Sequence, residues 1–169
     1  MNKFLRFFPV VLVGLSLTLG GSQYDSFAQD EPAIKQKSIE FKSLVKNSIS
    51  AQHQANNFVI KSREELKSLW NVFFKNIPDK PELPDVDFEK KMVIAIFGGE
   101  KPSPGHEITA SETLQLNKKT LRVSYVISQP GNNCLHPMML AQPFHIIEVD
   151  KYKRVIFNAI EQTRDCPND

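Results

Sequence analysis

The sequence predicts an α+β domain of mostly antiparallel β structure, with about six or seven strands, one amphipathic helix near residues 63–75 and one disulfide. Three observations predict this class. Short apolar or alternating segments bounded by turn residues are typical of strands, one segment has helical periodicity, and the chain contains two cysteines. A length of 169 residues fits a single domain.

The N-terminus has the three-part order of a secretory signal peptide. Lys3 and Arg6 supply positive charge, an apolar segment follows over residues 7–19, and small residues precede a cleavage position after Ala28. This apolar segment is shorter than the roughly 20 residues that a membrane-spanning helix needs. No cysteine follows it that could be lipidated. We therefore expect cleavage after Ala28 and a soluble periplasmic or extracellular protein, neither a lipoprotein nor membrane-anchored.

The mature chain is expected to begin with a polar leader over residues 29–39 and to continue as one domain over residues 40–169. A weakly patterned strand is predicted over residues 39–49. Asn56 and Asn57 then form a turn signal ahead of a short apolar segment.

One segment has the pattern of an amphipathic helix. Ser62 followed by Glu65 makes a capping box. Apolar residues then recur at the spacing of one helical face: Leu66, Leu69, Trp70 and Phe73. Trp70 lies at the centre of this face, which favours a core position over a ligand-binding role.

The remaining elements are predicted as strands. Residues 92–97 are continuously apolar and indicate a central strand buried on both faces. Further strands are predicted over residues 106–116, 121–127, 144–149 and 154–160, with a loop over residues 129–137. Short connections between them favour antiparallel hairpins, since parallel neighbours need a long crossover.

Cys134 and Cys166 are the only cysteines. An even number of cysteines in an exported chain favours a disulfide, which in the chain-entropy model stabilises a loop of this length by roughly 3–4 kcal/mol. Three other interpretations stay open from the sequence. Cys134 could be a nucleophile with His136 or His145 as its base, or Cys134 and His136 could bind a metal. Both thiols could also be free if the chain is not exported.

Charge and motifs exclude several functions. The 21 Lys and Arg residues nearly balance 19 Asp and Glu residues, so no nucleic acid partner is expected. No phosphate-binding, hydrolase or zinc-protease motif occurs. Asp85, Asp87 and Glu89 have alternating spacing but lack the rest of a calcium loop. We predict no cofactor, no metal and no enzymatic activity.

Several segments follow one another in a characteristic order: Phe58-Val59-Ile60, Leu69-Trp70, residues 92–100, residues 102–108, Cys134, residues 142–147 and Cys166. This order resembles the C-terminal domain of the PrcB family, exported proteins named after a protease-complex subunit. The resemblance covers roughly residues 40–166. It implies a noncatalytic domain with a structural cysteine pair and an accessory role to an exported protease. This chain departs from the family pattern at one loop. In the family this loop usually continues into Gly-Gly-Tyr, whereas here the corresponding residues are Pro104-Gly105-His106.

Two loops are candidate partner-binding segments. One spans residues 131–142, and the other consists of Lys101, Pro102, Ser103, Pro104, Gly105 and His106. Prolines and a disulfide would stiffen these loops and reduce the entropy lost on docking. An alternative function is protease inhibition, because the segment from Pro102 to Ile108 is loosely similar to the Thr-Thr-Gly-Tyr-x-Trp loop of chagasin-like cysteine-protease inhibitors.

Overall fold

The computed structural model describes residues 36–166, so the predicted signal peptide and most of the predicted leader lie outside the described residues. The elements in chain order are β1 (Lys37–Ser38), β2 (Lys42–Asn47), β3 (Ala55–Ile60), α1 (Arg63–Phe73), β4 (Lys91–Gly98), β5 (Glu107–Asn117), β6 (Thr120–Pro130), β7 (Phe144–Asp150) and β8 (Arg154–Arg164). The short strand β1, at the end of the predicted leader, pairs with β5.

The strands form two four-stranded sheets. Sheet A has the order β1-β5-β6-β8, and sheet B has the order β2-β7-β4-β3. Every neighbouring pair is antiparallel except β6 and β8, which run parallel. The predicted fold class is confirmed, with eight strands in the described residues instead of six or seven.

Strand β4 forms the centre of the molecule because its side chains alternate between two apolar layers. Met92, Ile94 and Ile96 face sheet A and pack in one cluster with residues of β5, β6 and β7. The alternate residues face helix α1 and form a second cluster with it. All six residues 92–97 are at most 2% exposed. The prediction of a strand buried on both faces is confirmed.

Helix α1 covers the outer face of sheet B. The Ser62 side chain caps it by accepting a hydrogen bond from the Glu65 backbone N–H at 3.1 Å. The Glu65 carboxylate accepts from the backbone N–H of Lys61 at 3.0 Å, one residue earlier than in a standard capping box. Trp70 is buried, and its indole N–H donates to the Pro81 carbonyl at 3.0 Å. Its predicted core position is therefore confirmed.

The predicted turn at Asn56 and Asn57 is wrong. Asn56 and Asn57 do not form a turn but lie in β3, opposite Phe97 and Ile96. Pairing across the edge of β4 supplies the backbone hydrogen bonds that a turn would otherwise have supplied.

The expected antiparallel arrangement also fails for β8. Residues 131–153, which include β7, connect β6 to β8 through the other sheet, and this length permits a parallel pair. β8 pairs along the whole length of β6. Strand β6 therefore extends to Pro130, beyond residue 129, where the loop was predicted to start.

Within residues 36–166 no helix combines the length and the apolar character required to cross a bilayer.

Candidate functional site

Cys134 and Cys166 form a disulfide with an S–S distance of 2.01 Å and a Cα–Cα distance of 5.1 Å. The bond joins the loop of residues 131–142 to the chain just after β8, as the sequence predicts. The side chain of His136 lies close to both sulfurs, within 4.8 Å. Both sulfurs are used in the bond, however, so in this state neither a nucleophilic Cys134 nor a Cys134–His136 metal site is available.

The two candidate loops are joined to each other. Lys101 and Ala141 exchange two backbone hydrogen bonds, at 2.7 and 2.9 Å. The imidazole of His136 lies directly against the backbone of Gly105, where a Cβ would be 2.5 Å from Nε2. We call the surface formed by loops 101–106 and 131–142 and the disulfide the disulfide end.

Both ends of loop 131–142 are fixed to the sandwich. At its start, the Gly131 N–H donates to the Arg164 carbonyl at 2.9 Å, and the Cys134 N–H donates to the Gly131 carbonyl at 3.0 Å. At its end, the Gln142 N–H donates to the Ser48 carbonyl at 2.8 Å. The middle of the loop is therefore held between two anchored ends.

Arg164 connects β8 to the base of loop 101–106. Its guanidinium donates to the Glu107 carboxylate at 3.1 Å and to the Gly105 carbonyl at 3.5 Å. Lys46 donates to the same carboxylate at 3.4 Å. Burial alone would raise the pKa of Glu107, but the hydrogen bonds and charges of Arg164 and Lys46 outweigh it and hold this pKa below its usual value.

The disulfide end exposes an unusual number of apolar side chains. Leu135 is 99% exposed and Met138 is 100% exposed, while Met139 and Leu140 are more than half exposed. These four residues lie within six consecutive positions of one anchored loop. An exposed apolar cluster of this kind is typical of a surface that binds another protein.

The apolar cluster is a feature that sequence reasoning missed, although it selected the loop. The signal was present in the sequence, where Leu135, Met138, Met139 and Leu140 occur in a segment predicted to be a loop. A segment without strand or helix periodicity has no face that packs against the core, so its apolar side chains are expected to be exposed.

A shallow groove of about 280 Å³ adjoins loop 101–106. It is lined by the end of β2, by Pro104, His106 and Pro143, and by the start of β5. His106 is fixed at its rim, with Nδ1 within 3.2 Å of both the hydroxyl and the carbonyl oxygen of Ser103. Two of the predicted loop residues, Pro104 and His106, thus form part of the wall of this groove.

His145 lies apart from this surface and bridges the two sheets. Its Nδ1 accepts a hydrogen bond from the Ala110 backbone N–H at 2.9 Å, and its Nε2 lies 2.8 Å from the Ser43 hydroxyl. Burial, with a smaller contribution from the charge of Lys46, lowers the pKa of His145 to about 4. Because Nδ1 accepts, the proton is on Nε2, so the imidazole cannot remove the Ser43 proton. His145 therefore has a structural role between the two sheets, and not the role of a base beside Cys134.

The described residues form a two-sheet domain with one covering helix and one end braced by a disulfide. The family model described as PrcB C-terminal matches residues 92–150. The predicted resemblance to the C-terminal domain of the PrcB family is therefore confirmed. The matched segment is shorter than residues 40–166, over which the resemblance was predicted. No curated protein and no solved structure matches the chain significantly.

Proposed function

We propose that this protein is an exported, noncatalytic accessory domain that binds a protein partner through the disulfide end, and that this partner is an exported protease. The observation that carries the proposal is the cluster of exposed apolar side chains on loop 131–142. Leu135 and Met138 are almost fully exposed on a loop whose two ends are anchored.

The anchored loop favours binding because little conformational freedom remains to be lost. Burying a fully exposed leucine or methionine side chain contributes roughly 1.5–3 kcal/mol. A flexible loop would offset much of this gain by the entropy lost on ordering. Here the disulfide, the Lys101–Ala141 bridge and the His136–Gly105 contact already restrict the loop.

Export and the identity of the partner rest on separate support. A disulfide persists in compartments outside the reducing cytoplasm, and the N-terminal sequence has the order of a signal peptide. The match to the PrcB C-terminal family supports a role beside a protease. Both cysteines among residues 36–166 are joined in the disulfide, so in this state Cys134 is not available as a nucleophile.

The test is affinity capture from the native exported fraction, with mass-spectrometric identification of the proteins retained. We compare the wild-type chain with a triple variant, Leu135→Ser, Met138→Ser and Leu140→Ser, and with a variant whose loop 101–106 is replaced by Gly and Ser. The matched control is Val72→Ser, which removes a 54% exposed apolar side chain from helix α1, outside both candidate loops.

We expect wild type and Val72→Ser to retain the same protease in active form, and both loop variants to lose it. Retention of no protease, or equal retention by all variants, contradicts the proposal. A protease that is retained but inhibited by the wild-type chain contradicts the accessory role and indicates an inhibitor.

A further inference from the structure

Strand β8 differs from the other three edge strands of the two sheets. β1 has only two residues, and β2 carries two lysines and a bulge between Ser43 and Val45, which are features by which proteins protect sheet edges from pairing. β3 has none of these features, but its six residues offer a much shorter edge than β8 does. β8 has 11 residues, contains no proline and pairs with β6 without a bulge.

The hydrogen-bond pattern shows which backbone groups of β8 face outward. Arg154 N–H donates to the Lys119 carbonyl, and the Arg164 carbonyl accepts from Gly131 N–H, both at 2.9 Å. In a regular parallel ladder, the even-numbered residues between these two therefore bond to β6. The N–H and C=O groups of the odd-numbered residues from Val155 to Thr163 point away from the sheet. No strand among residues 36–166 pairs with them.

The side chains of β8 add an apolar component to this open edge. Ile156 and Ile160 lie on the same outer face of the strand and are 40% and 45% exposed. Asn158 lies between them on that face. The strand thus offers free backbone donors and acceptors together with two exposed β-branched side chains, which favour strand pairing.

We propose that β8 pairs with β8 of a second copy of this chain, in antiparallel orientation, and joins two copies of sheet A into one continuous sheet. In the register we infer, Asn158 lies opposite Asn158 of the second copy. Ile156 then lies opposite Ile160 of the second copy, and the twofold symmetry repeats this contact on the other side.

The register follows from the side chains. The even-numbered residues form the non-hydrogen-bonded pairs, in which side chains approach most closely, so both isoleucine pairs would be in contact. Shifting one strand by two residues in one direction places Arg154 opposite Arg164 of the second copy, which is repulsive. The same shift in the other direction places Ile160 opposite Arg154 and breaks both isoleucine pairs.

The inner face of β8 fits the same register. Phe157 would lie opposite Ala159 of the second copy, and the small alanine leaves room for the ring. Phe157 also lines an open cleft of about 340 Å³ between the sheets, together with Phe97 and Tyr125. The second strand would run beside Phe157, at one side of this cleft.

The first test is sedimentation velocity of the full chain as exported, over a wide range of concentration. We expect wild type to sediment as a dimer. Ala159→Pro removes an outward N–H without breaking a bond to β6, and Ile160→Lys replaces a contact side chain by a charge. Both variants are expected to sediment as monomers. Their melting temperature should equal that of wild type at concentrations low enough for the dimer to dissociate.

The second test fixes the register by cross-linking. The two Asn158 Cα atoms would be about 4.5 Å apart in a non-hydrogen-bonded pair, within the range of about 4.4–6.8 Å for disulfides. Asn158→Cys should therefore form a covalent dimer on oxidation, whereas Gln162→Cys, which faces Arg154 of the second copy, should not.

A wild-type chain that is monomeric at all concentrations overturns the proposal, whether because another protein's strand or the chain's own N-terminal residues occupy the edge. A dimer that both edge variants leave intact also overturns it. Equal cross-linking at positions 158 and 162 overturns the register. These outcomes do not depend on partner capture by the disulfide end.

Discussion

The interior of the sandwich and the disulfide end use apolar side chains in opposite ways. In β4, residues 92–97 are at most 2% exposed and are covered from both sides. In loop 131–142, Leu135 and Met138 are almost fully exposed. The interior gains its stability from burial, whereas the loop depends on covalent and backbone anchors. Changes in the interior should therefore alter stability, and changes to the exposed apolar side chains of the loop should alter binding alone.

The largest effect is expected for Phe97→Ala. The Phe97 ring packs against Phe73 at a centroid distance of 4.6 Å and against Phe144 at 5.5 Å. Removing a buried aromatic ring should lower the free energy of unfolding by about 3–5 kcal/mol, measured by urea denaturation. The comparison variant Leu135→Ala should change it by less than about 0.5 kcal/mol. Similar losses for the two variants would contradict the division between interior and loop.

Removing the disulfide should give the next largest effect. The double variant Cys134→Ser, Cys166→Ser should lose about 3–4 kcal/mol in the chain-entropy model. Hydrogen exchange should locate part of this change, since amide protection should fall in the last residues of β8 and in loop 131–142. Protection in β4 should fall only in proportion to the lower global stability. Loss of protection that is uniform along the chain would contradict a local bracing role.

Acidification should destabilise the protein through His145. The folded state lowers the pKa of this residue from 6.5 to about 4, so in this interval the unfolded chain binds the proton more readily. Above pH 6.5 His145 is neutral in both states and does not lower the free energy of unfolding. As the pH falls from 6.5 towards 4, protonation of the unfolded chain lowers this free energy by about 3 kcal/mol.

The matched control for this prediction is His145→Asn, whose side-chain oxygen can still accept from the Ala110 N–H. The free energy of unfolding of wild type should fall more steeply between pH 6.5 and 4 than that of the variant. Parallel pH profiles would show that His145 is not responsible.

The smallest effect on stability is expected for Gly105→Ala. The new Cβ would lie 2.5 Å from the His136 ring, but this ring belongs to an exposed residue and can move. We expect a change in unfolding free energy within about 0.5 kcal/mol, together with faster proteolysis of loop 131–142. In the His136→Ala background the same substitution should have no effect on proteolysis. An effect that persists there would place the contact elsewhere.

Sequence patterns predicted the interior well because burial imposes periodicity. Two patterns can each bury their apolar residues in one way only: the helical face of Leu66, Trp70 and Phe73, and the apolar segment of residues 92–97. In the structure both sets of residues are buried. Asn56 and Asn57 misled the prediction because their turn preference is local, while pairing with β4 is a tertiary contact. The parallel pairing of β8 depends on a chain path through the second sheet, which no local pattern encodes.

The candidate site was predicted only in outline. Cysteine count and proline content selected the two loops and the disulfide. The contacts that unite them, Lys101 with Ala141, His136 with Gly105 and Arg164 with Glu107, join residues far apart in sequence. Such contacts require the register of the sheets, which the sequence does not supply by itself.

Site-specific photo-cross-linking tests the docking surface most directly. A photoreactive amino acid is placed at Met138, or at the exposed Val72 of helix α1 as the control, and the chain is irradiated among its native exported proteins. We predict that position 138 gives a covalent adduct with a protease and that position 72 does not. The same adduct from both positions, or none from position 138, would contradict a binding surface at the disulfide end.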